Sequence, residues 1–482
     1  MQVNKVGEQK LFRLFGHFSL LILFSSTALL SSSFEDFKKS QDSSFVSYTD
    51  KRDSEFNKYL NSQWSEYSAY KGVSFYESPK PKNILSTQSK PTKSVGPKIN
   101  IALDKLNPIV LKAESKPKPE KKDINFEFYG TSLGFNIDSN IKEATYFPQN
   151  QKGVSNFFNV MASSEYEYFV SSIEKKAKEL ELNDWGIYLL VNQIGSELFA
   201  NSDSRNLFNW FIFTKLGYAV KIGLSNRHIV TLYYSKKVIY ATPSYKFNGK
   251  KYYALAEDYG DNSGAIYSYN KEYPNAKKAL DLSLHTLPKF EKNNKLKSLS
   301  FTEFGKKYTF KYTYNQNIID FMATYPQADY ETFFNAPLDD SSYDELAKGL
   351  KKHIDGMHAS SAINFVLHFV QSAFKYELDS KQFGREKVMF AQETLLFDKS
   401  DCEDRAILFA TLVSRIFNFS VVGVKYKDHM ATAIYVPMSG DSVDANGRRF
   451  VLADPTYVNA NIGQSMPKYR SKIPESFIIV NK

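Results

Sequence analysis

Two stretches about two hundred residues apart run in parallel, and they fix what most of the chain can be. "NSDSRNLFNWFIFTKLGYAVKIG" (Asn201–Gly223) matches "KSDCEDRAILFATLVSRIFNFSVVGV" (Lys399–Val424). "RHIVTLYY" then matches "DHMATAIY", and "NGKKYYALA" matches "NGRRFVLAD". Each set reads as an apolar helix followed by strands, one pair joined at an Asn-Gly turn. A chain of 482 residues carrying this pattern twice is expected to fold as two similar α+β domains, helices first and an antiparallel sheet after. In this register Ser204 stands at the position of Cys402, His228 at that of His429, and Ala256 where Asp454 is. The first copy would keep a His, carry a hydroxyl for the thiol and lack the carboxylate, with Glu257 and Asp258 close by. Its expected role is packing, substrate positioning or partner binding.

The amino-terminal part is of another kind. Lys10 and Arg13 precede the apolar run Phe18–Leu30, which is short for a membrane span and suits a signal-peptide core. Residues 1–33 are expected to be a signal peptide cut near Ser31 or Ser33, or an uncleaved anchor. Both send the rest of the chain to the periplasm or the cell exterior, with membrane contact only through this segment. Aromatics then recur every eleven residues, at Phe34, Phe45, Phe56 and Tyr67 and at Phe37, Tyr48, Tyr59 and Tyr70. Eleven residues span three helical turns, so the spacing predicts one long helix with an aromatic seam over 34–76. Such a seam serves either an oligomer or envelope partner, as in a coiled coil, or packing on the protein's own domains.

The net charge of +10 does not describe a nucleic-acid binder. Between Pro79 and Lys122 lie eleven lysines, seven prolines and three acids, a net of +8 in one segment that cannot bury a core. The expected order is therefore a Lys/Pro-rich linker over 77–125, the degenerate domain over 126–260, a connecting segment over 261–300 and the chemistry-bearing domain over 301–482.

Cys402 is the only cysteine. Ser400 as N-cap with Glu403 three residues on makes a capping box, and Asp401 as cap shifts it by one. Either way Cys402 lies in the first helical turn, where backbone N–H groups and the helix dipole favour a thiolate. Asp401, Glu403 and Asp404 oppose that charge, so a thiolate needs a stronger partner. His429 begins the strand "HMATAIYVP" and supplies an imidazole; Asp454 ends a neighbouring strand, where it can hold the ring. Taken singly, each has a structural reading: a buried small side chain, a core histidine, a turn before Pro455.

The order "SDCEDRA…HMATAIYV…LADPTY" resembles the transglutaminase-like superfamily, the papain-related thiol enzymes, over roughly Tyr343 to Tyr457. The resemblance implies an α+β core with a helix-borne Cys on an antiparallel sheet. It implies Cys402 as nucleophile, His429 as general base and acid, and Asp454 as the orienting carboxylate. This chain has Ser400 where many relatives have glycine, and a longer His-to-Asp spacing. A second oxyanion donor in papain-like relatives is often a Gln; Gln382 and Gln392 are the candidates here. No phosphate-binding Gly loop, zinc pattern or calcium loop is present, so neither cofactor nor metal is expected. The expected activity is that of an exported cysteine peptidase or amidase, or a transamidase, on a peptide or protein of the cell envelope. The alternative is a non-enzymatic envelope assembly or peptide-binding protein on the same fold.

Overall fold

A computed structural model describes residues 51–62, 64–70, 122–255 and 264–481. The apolar run Phe18–Leu30, most of the Lys/Pro-rich segment and Ala256 lie outside them. No helix among the described residues is long and apolar enough to cross a membrane.

Residues 51–60 are helical. The expected single helix over 34–76 is broken here, while its parts over 34–50 and 71–76 lie outside the described residues. Ser65–Tyr67 is a β-strand instead, paired with Ile266–Ser268. Trp64 packs its ring against Tyr267 and Tyr269, and Tyr67 lies 4.4 Å from Phe247. The eleven-residue period governs local amphipathicity only. A sheet edge with aromatic neighbours outcompetes it once the helix has ended at the Asn61–Ser62 turn.

Among the described residues from Trp64 on, the chain is α+β, with antiparallel pairing in every sheet but one short pair. Its first sheet runs Ser65–Tyr67, Ile266–Ser268, Val220–Ser225, His228–Tyr234, Lys250–Ala254, Ser244–Phe247. The second runs Ser476–Ile479, Val421–Tyr426, His429–Ile434, Arg448–Ala453, Ser442–Ala445. Apart from the added edge strand Ser65–Tyr67, order and connectivity are the same, and a buried helix precedes each, Ser202–Lys215 and Cys402–Phe417. The first sheet is closed by Ile266–Ser268, so it extends past residue 260 into the stretch expected to be a connector.

The shared plan extends to register. Ser225 faces His228 and Val220 faces Tyr233; Tyr426 faces His429 and Val421 faces Ile434. The other hairpin of each sheet, Ser244–Phe247 with Lys250–Ala254 and Ser442–Ala445 with Arg448–Ala453, turns through an Asn-Gly pair with positive φ, Asn248-Gly249 and Asn446-Gly447, the demand of a tight turn between twisted strands. Two further elements separate the sheets. The ten-residue strands Asn294–Glu303 and Lys306–Asn315 form a hairpin that packs Phe301 and Phe310 against Phe365 and Phe369. The helices Asp340–Ile354 and Ala359–Ser372 then lead to the Cys402 helix.

Candidate active site

The Cys402 helix begins one residue later than the Ser400 capping box requires. Asp401 is the N-cap and Cys402 the first helical residue. The Asp404 carboxylate accepts the Asp401 N–H at 3.3 Å and the Met389 N–H at 2.8 Å. Ser400 is drawn into the short parallel pair of Lys399–Ser400 with Lys375–Tyr376, and its hydroxyl accepts from Arg405 Nε at 3.1 Å. The thiol remains in the first turn. The helix is buried nearly all round, as a helix without a polar face must be.

His429 opens a strand buried at all six positions. Its Nε2 lies 2.8 Å from Asp454 Oδ2. Asp454 Oδ1 accepts from the N–H groups of Thr456 at 2.9 Å and Tyr457 at 3.2 Å. The carboxylate is thus pinned by a turn of its own making and orients the ring from a fixed place. His429 Nδ1 is buried and meets no hydrogen-bond partner among the described residues. A buried ring nitrogen without a partner is costly. Burial, and then the charge of Asp454, push the neighbouring Tyr426 hydroxyl up to about 12.

The helix packs beside this strand. Tyr469 stacks on the imidazole at 4.8 Å, and no hydrogen bond joins His429 Nδ1 to the Cys402 thiol. Cys402, His429 and Asp454 are 3%, 4% and 3% exposed, so the site is closed.

The surroundings of the thiol are anionic. Cys402 Sγ donates to Glu403 Oε2 at 3.0 Å. Carboxylate oxygens of Asp379, Asp401 and Glu403 lie within 4.8 Å of one another, all three buried. Carboxylates so crowded resist sharing full charge, and this is the group among the described residues with the spacing to hold a cation. Asp379 also accepts the Lys387 N–H at 2.9 Å. Arg405 lies near Asp401, Asp404 and Cys402, but its guanidinium spends its bonds on neutral partners: Gln371 O at 3.1 Å, Phe374 O at 2.7 Å and Ser400 Oγ. Burial pushes it down to about 10.

Sequence reasoning missed the brace beneath the site. Gln371 Nε2 donates to Asp454 O at 2.9 Å and Ala460 O at 3.1 Å, and its Oε1 accepts the Asn459 N–H at 3.0 Å. Its own carbonyl receives Arg405. One residue of the helix Ala359–Ser372 therefore ties the thiol-bearing helix to the Asp454 turn. The available signal was a polar residue at the buried end of an apolar helix, which asks for partners without naming them.

The two glutamines proposed as oxyanion donors differ. Gln392 is committed to the Asp339 N–H at 3.0 Å and Ser342 Oγ at 3.1 Å. Gln382 makes only a long bond of 3.5 Å to Lys399 O, three residues before the thiol.

In the first half, the equivalence of Ser204 with Cys402 fails. The left-handed residues that end the two helices, Gly217 and Asn418, are 201 apart, as are His228 and His429. That spacing carried back places Asn201, the N-cap, opposite Cys402. Ser204 lies deeper, its N–H bonded to Asn201 Oδ1. His228 is exposed and its Nδ1 lies 3.3 Å from Asp203 Oδ2. The helix itself has taken the role of holding the ring.

Comparison of the chain with protein-family models, with curated proteins and with solved structures finds no match.

Proposed function

We propose that the chain is a transglutaminase-like thiol enzyme acting on amide bonds of peptides or proteins in the cell envelope. The observation that carries the reading is the buried His429–Asp454 pair at 2.8 Å, whose free ring nitrogen Nδ1 meets no partner among the described residues, together with a cysteine that starts the helix packed on the His429 strand. His429 Nδ1 takes the Cys402 proton as Sγ attacks the amide carbon. The oxyanion draws on N–H groups of the first helical turn. The C–N bond breaks as the imidazolium returns the proton to the leaving amine, and a thioester remains. Water completes a peptidase or amidase cycle, an amine a transamidation; the first half-reaction is common to both. Asp454 keeps the ring in the tautomer and orientation this requires. The first half, with its plan kept and its His turned to Asp203, serves as a degenerate packing or substrate-positioning domain.

A second reading, a non-enzymatic peptide-binding or assembly protein, is favoured by the closure of the site. The pH dependence of Cys402 alkylation separates the two. Labelling well below the roughly 8.5 of an ordinary thiol, lost in His429→Ala, is expected. Ordinary thiol behaviour in both proteins would falsify the enzyme reading.

A further inference from the structure

The connection between the last two strands of the second sheet has to cross that sheet. Arg448–Ala453 pairs with His429–Ile434, whereas Ser476–Ile479 pairs with Val421–Tyr426 on its far side. Residues 454–475 therefore pass over two strands. Tyr457, Ala460, Met466 and Tyr469 of this strap join Ala431 and Ala433 in one apolar cluster, so the strap covers the face that alternation assigns to His429.

Tyr469 is the strap's contact with the site. Its ring lies 4.8 Å from the His429 ring at 22° and 4.9 Å from Tyr426. Its hydroxyl donates to Asp428 Oδ1 at 2.9 Å. Burial and that carboxylate hold the hydroxyl above the ordinary phenol range, and a Cys402 thiolate adds to the effect. The strap before it is fixed by Gln371 on Asp454 O, Ala460 O and the Asn459 N–H and by Asn364 on the Ile462 N–H at 2.8 Å, but the side-chain anchors flanking Tyr469 are superficial. Lys468 pairs with Asp428, and Arg470 with Asp441 at 3.2 Å; both basic side chains are more than half exposed. Exposed pairs of this kind hold weakly in water. A peptide cannot meet a thiol that is 3% exposed, and the ring on His429 is held chiefly by packing and one hydrogen bond.

We propose that Tyr469 fills the side-chain slot of the substrate. The strap keeps the site shut, and a peptide enters by displacing the ring, with an aromatic side chain beside the scissile amide taking its place on His429 and Tyr426. The proposal rests on the thiol-enzyme reading of the site. Its test uses the full chain and two chloromethyl ketones, one of phenylalanine and one of alanine. Each alkylates Cys402 by forming an S–C bond with loss of chloride, followed by mass spectrometry. In Tyr469→Ala both reagents should react faster, and the phenylalanine reagent should gain about tenfold over the alanine reagent. Asp428→Asn keeps the ring and loosens its anchors, so it should raise both rates with less risk to the fold. Unchanged rates in folded Tyr469→Ala and Asp428→Asn, or an equal rise for both reagents in Tyr469→Ala, would overturn the slot. That failure is distinct from failure of the enzyme reading, which shows instead as a thiol indifferent to His429→Ala.

Discussion

Glu403 is the residue on which the resting state of the thiol turns. Its carboxylate accepts from Cys402 at 3.0 Å in a place closed to water, and a negative group there opposes ionisation of its neighbour. On the proposed reading, a thiolate then forms when His429 takes the proton. Glu403→Gln keeps the shape and removes the charge. The midpoint of the alkylation-rate profile should move to lower pH by about one unit, roughly a tenfold faster reaction at neutral pH. An unmoved midpoint in stopped-flow labelling would mean that the contact is incidental. Asp454→Asn should do the reverse: the fold is kept, but the ring loses its charged orienter and the low-pH reactivity falls. The pairing of His429 with Asp454 and the place of Cys402 in a first helical turn were legible because each residue sits at an element end where side-chain chemistry is written into the local sequence. The Ser400 cap was misplaced by one residue because the pairing of Ser400 with Tyr376 carries the strand through Ser400 and starts the helix at Cys402, and no local pattern reports that pairing.

Between elements, the site is held by a guanidinium and an amide that no motif announces. Arg405 sits in a helix buried nearly all round and reaches three acceptors, two of them carbonyls near the end of the helix Ala359–Ser372. Buried carbonyls left without a donor cost about 1–3 kcal/mol each. Arg405→Met, which retains most of the apolar stem, should therefore lower stability by about 3 kcal/mol in urea unfolding. The loss of alkylation rate should be larger than that of a surface variant of equal stability, since the Cys402 helix start loses its tether. Equal rates at matched stability would assign Arg405 to the fold alone. A buried arginine in an apolar run signals a partner; its identity is a matter of tertiary packing and stays invisible to sequence. The strap was hidden for a related reason. "NANIGQSMPKYRSKI" has the composition of a plain loop, and only the strand order makes it a crossover above His429.

Across the whole molecule, the repeated pattern was the most legible feature, since equal helix–strand orders at equal spacing leave few topologies. Where the halves diverge, the physics diverges with them, and Lys221 shows it. In the shared register Lys221 corresponds to Val422: each faces the hairpin partner, Leu232 or Ala433. The second half buries an apolar side chain there, the first an ammonium. Its Nζ donates to the carbonyls of Tyr269, Asn270 and Lys271 at 3.4, 2.9 and 3.2 Å, with the rings of Phe247, Tyr252 and Tyr269 around it. Burial pushes Lys221 down to about 7 from an ordinary 10.5, with Glu272 acting against the shift. The unfolded chain then binds more protons than the folded one above pH 7, so stability should rise with pH through that window. Below about 7 both states are charged and the effect vanishes. Near pH 10 the buried tyrosines act in the opposite sense, because Tyr218 and Tyr252 ionise only when unfolded. Between pH 7 and 9 the gain should reach about 2 kcal/mol. Urea midpoints at pH 7, 8 and 9 should climb in the natural protein and stay flat in Lys221→Met. Parallel curves for the two would show that the three carbonyls and the ring faces hold the ammonium charged in the core.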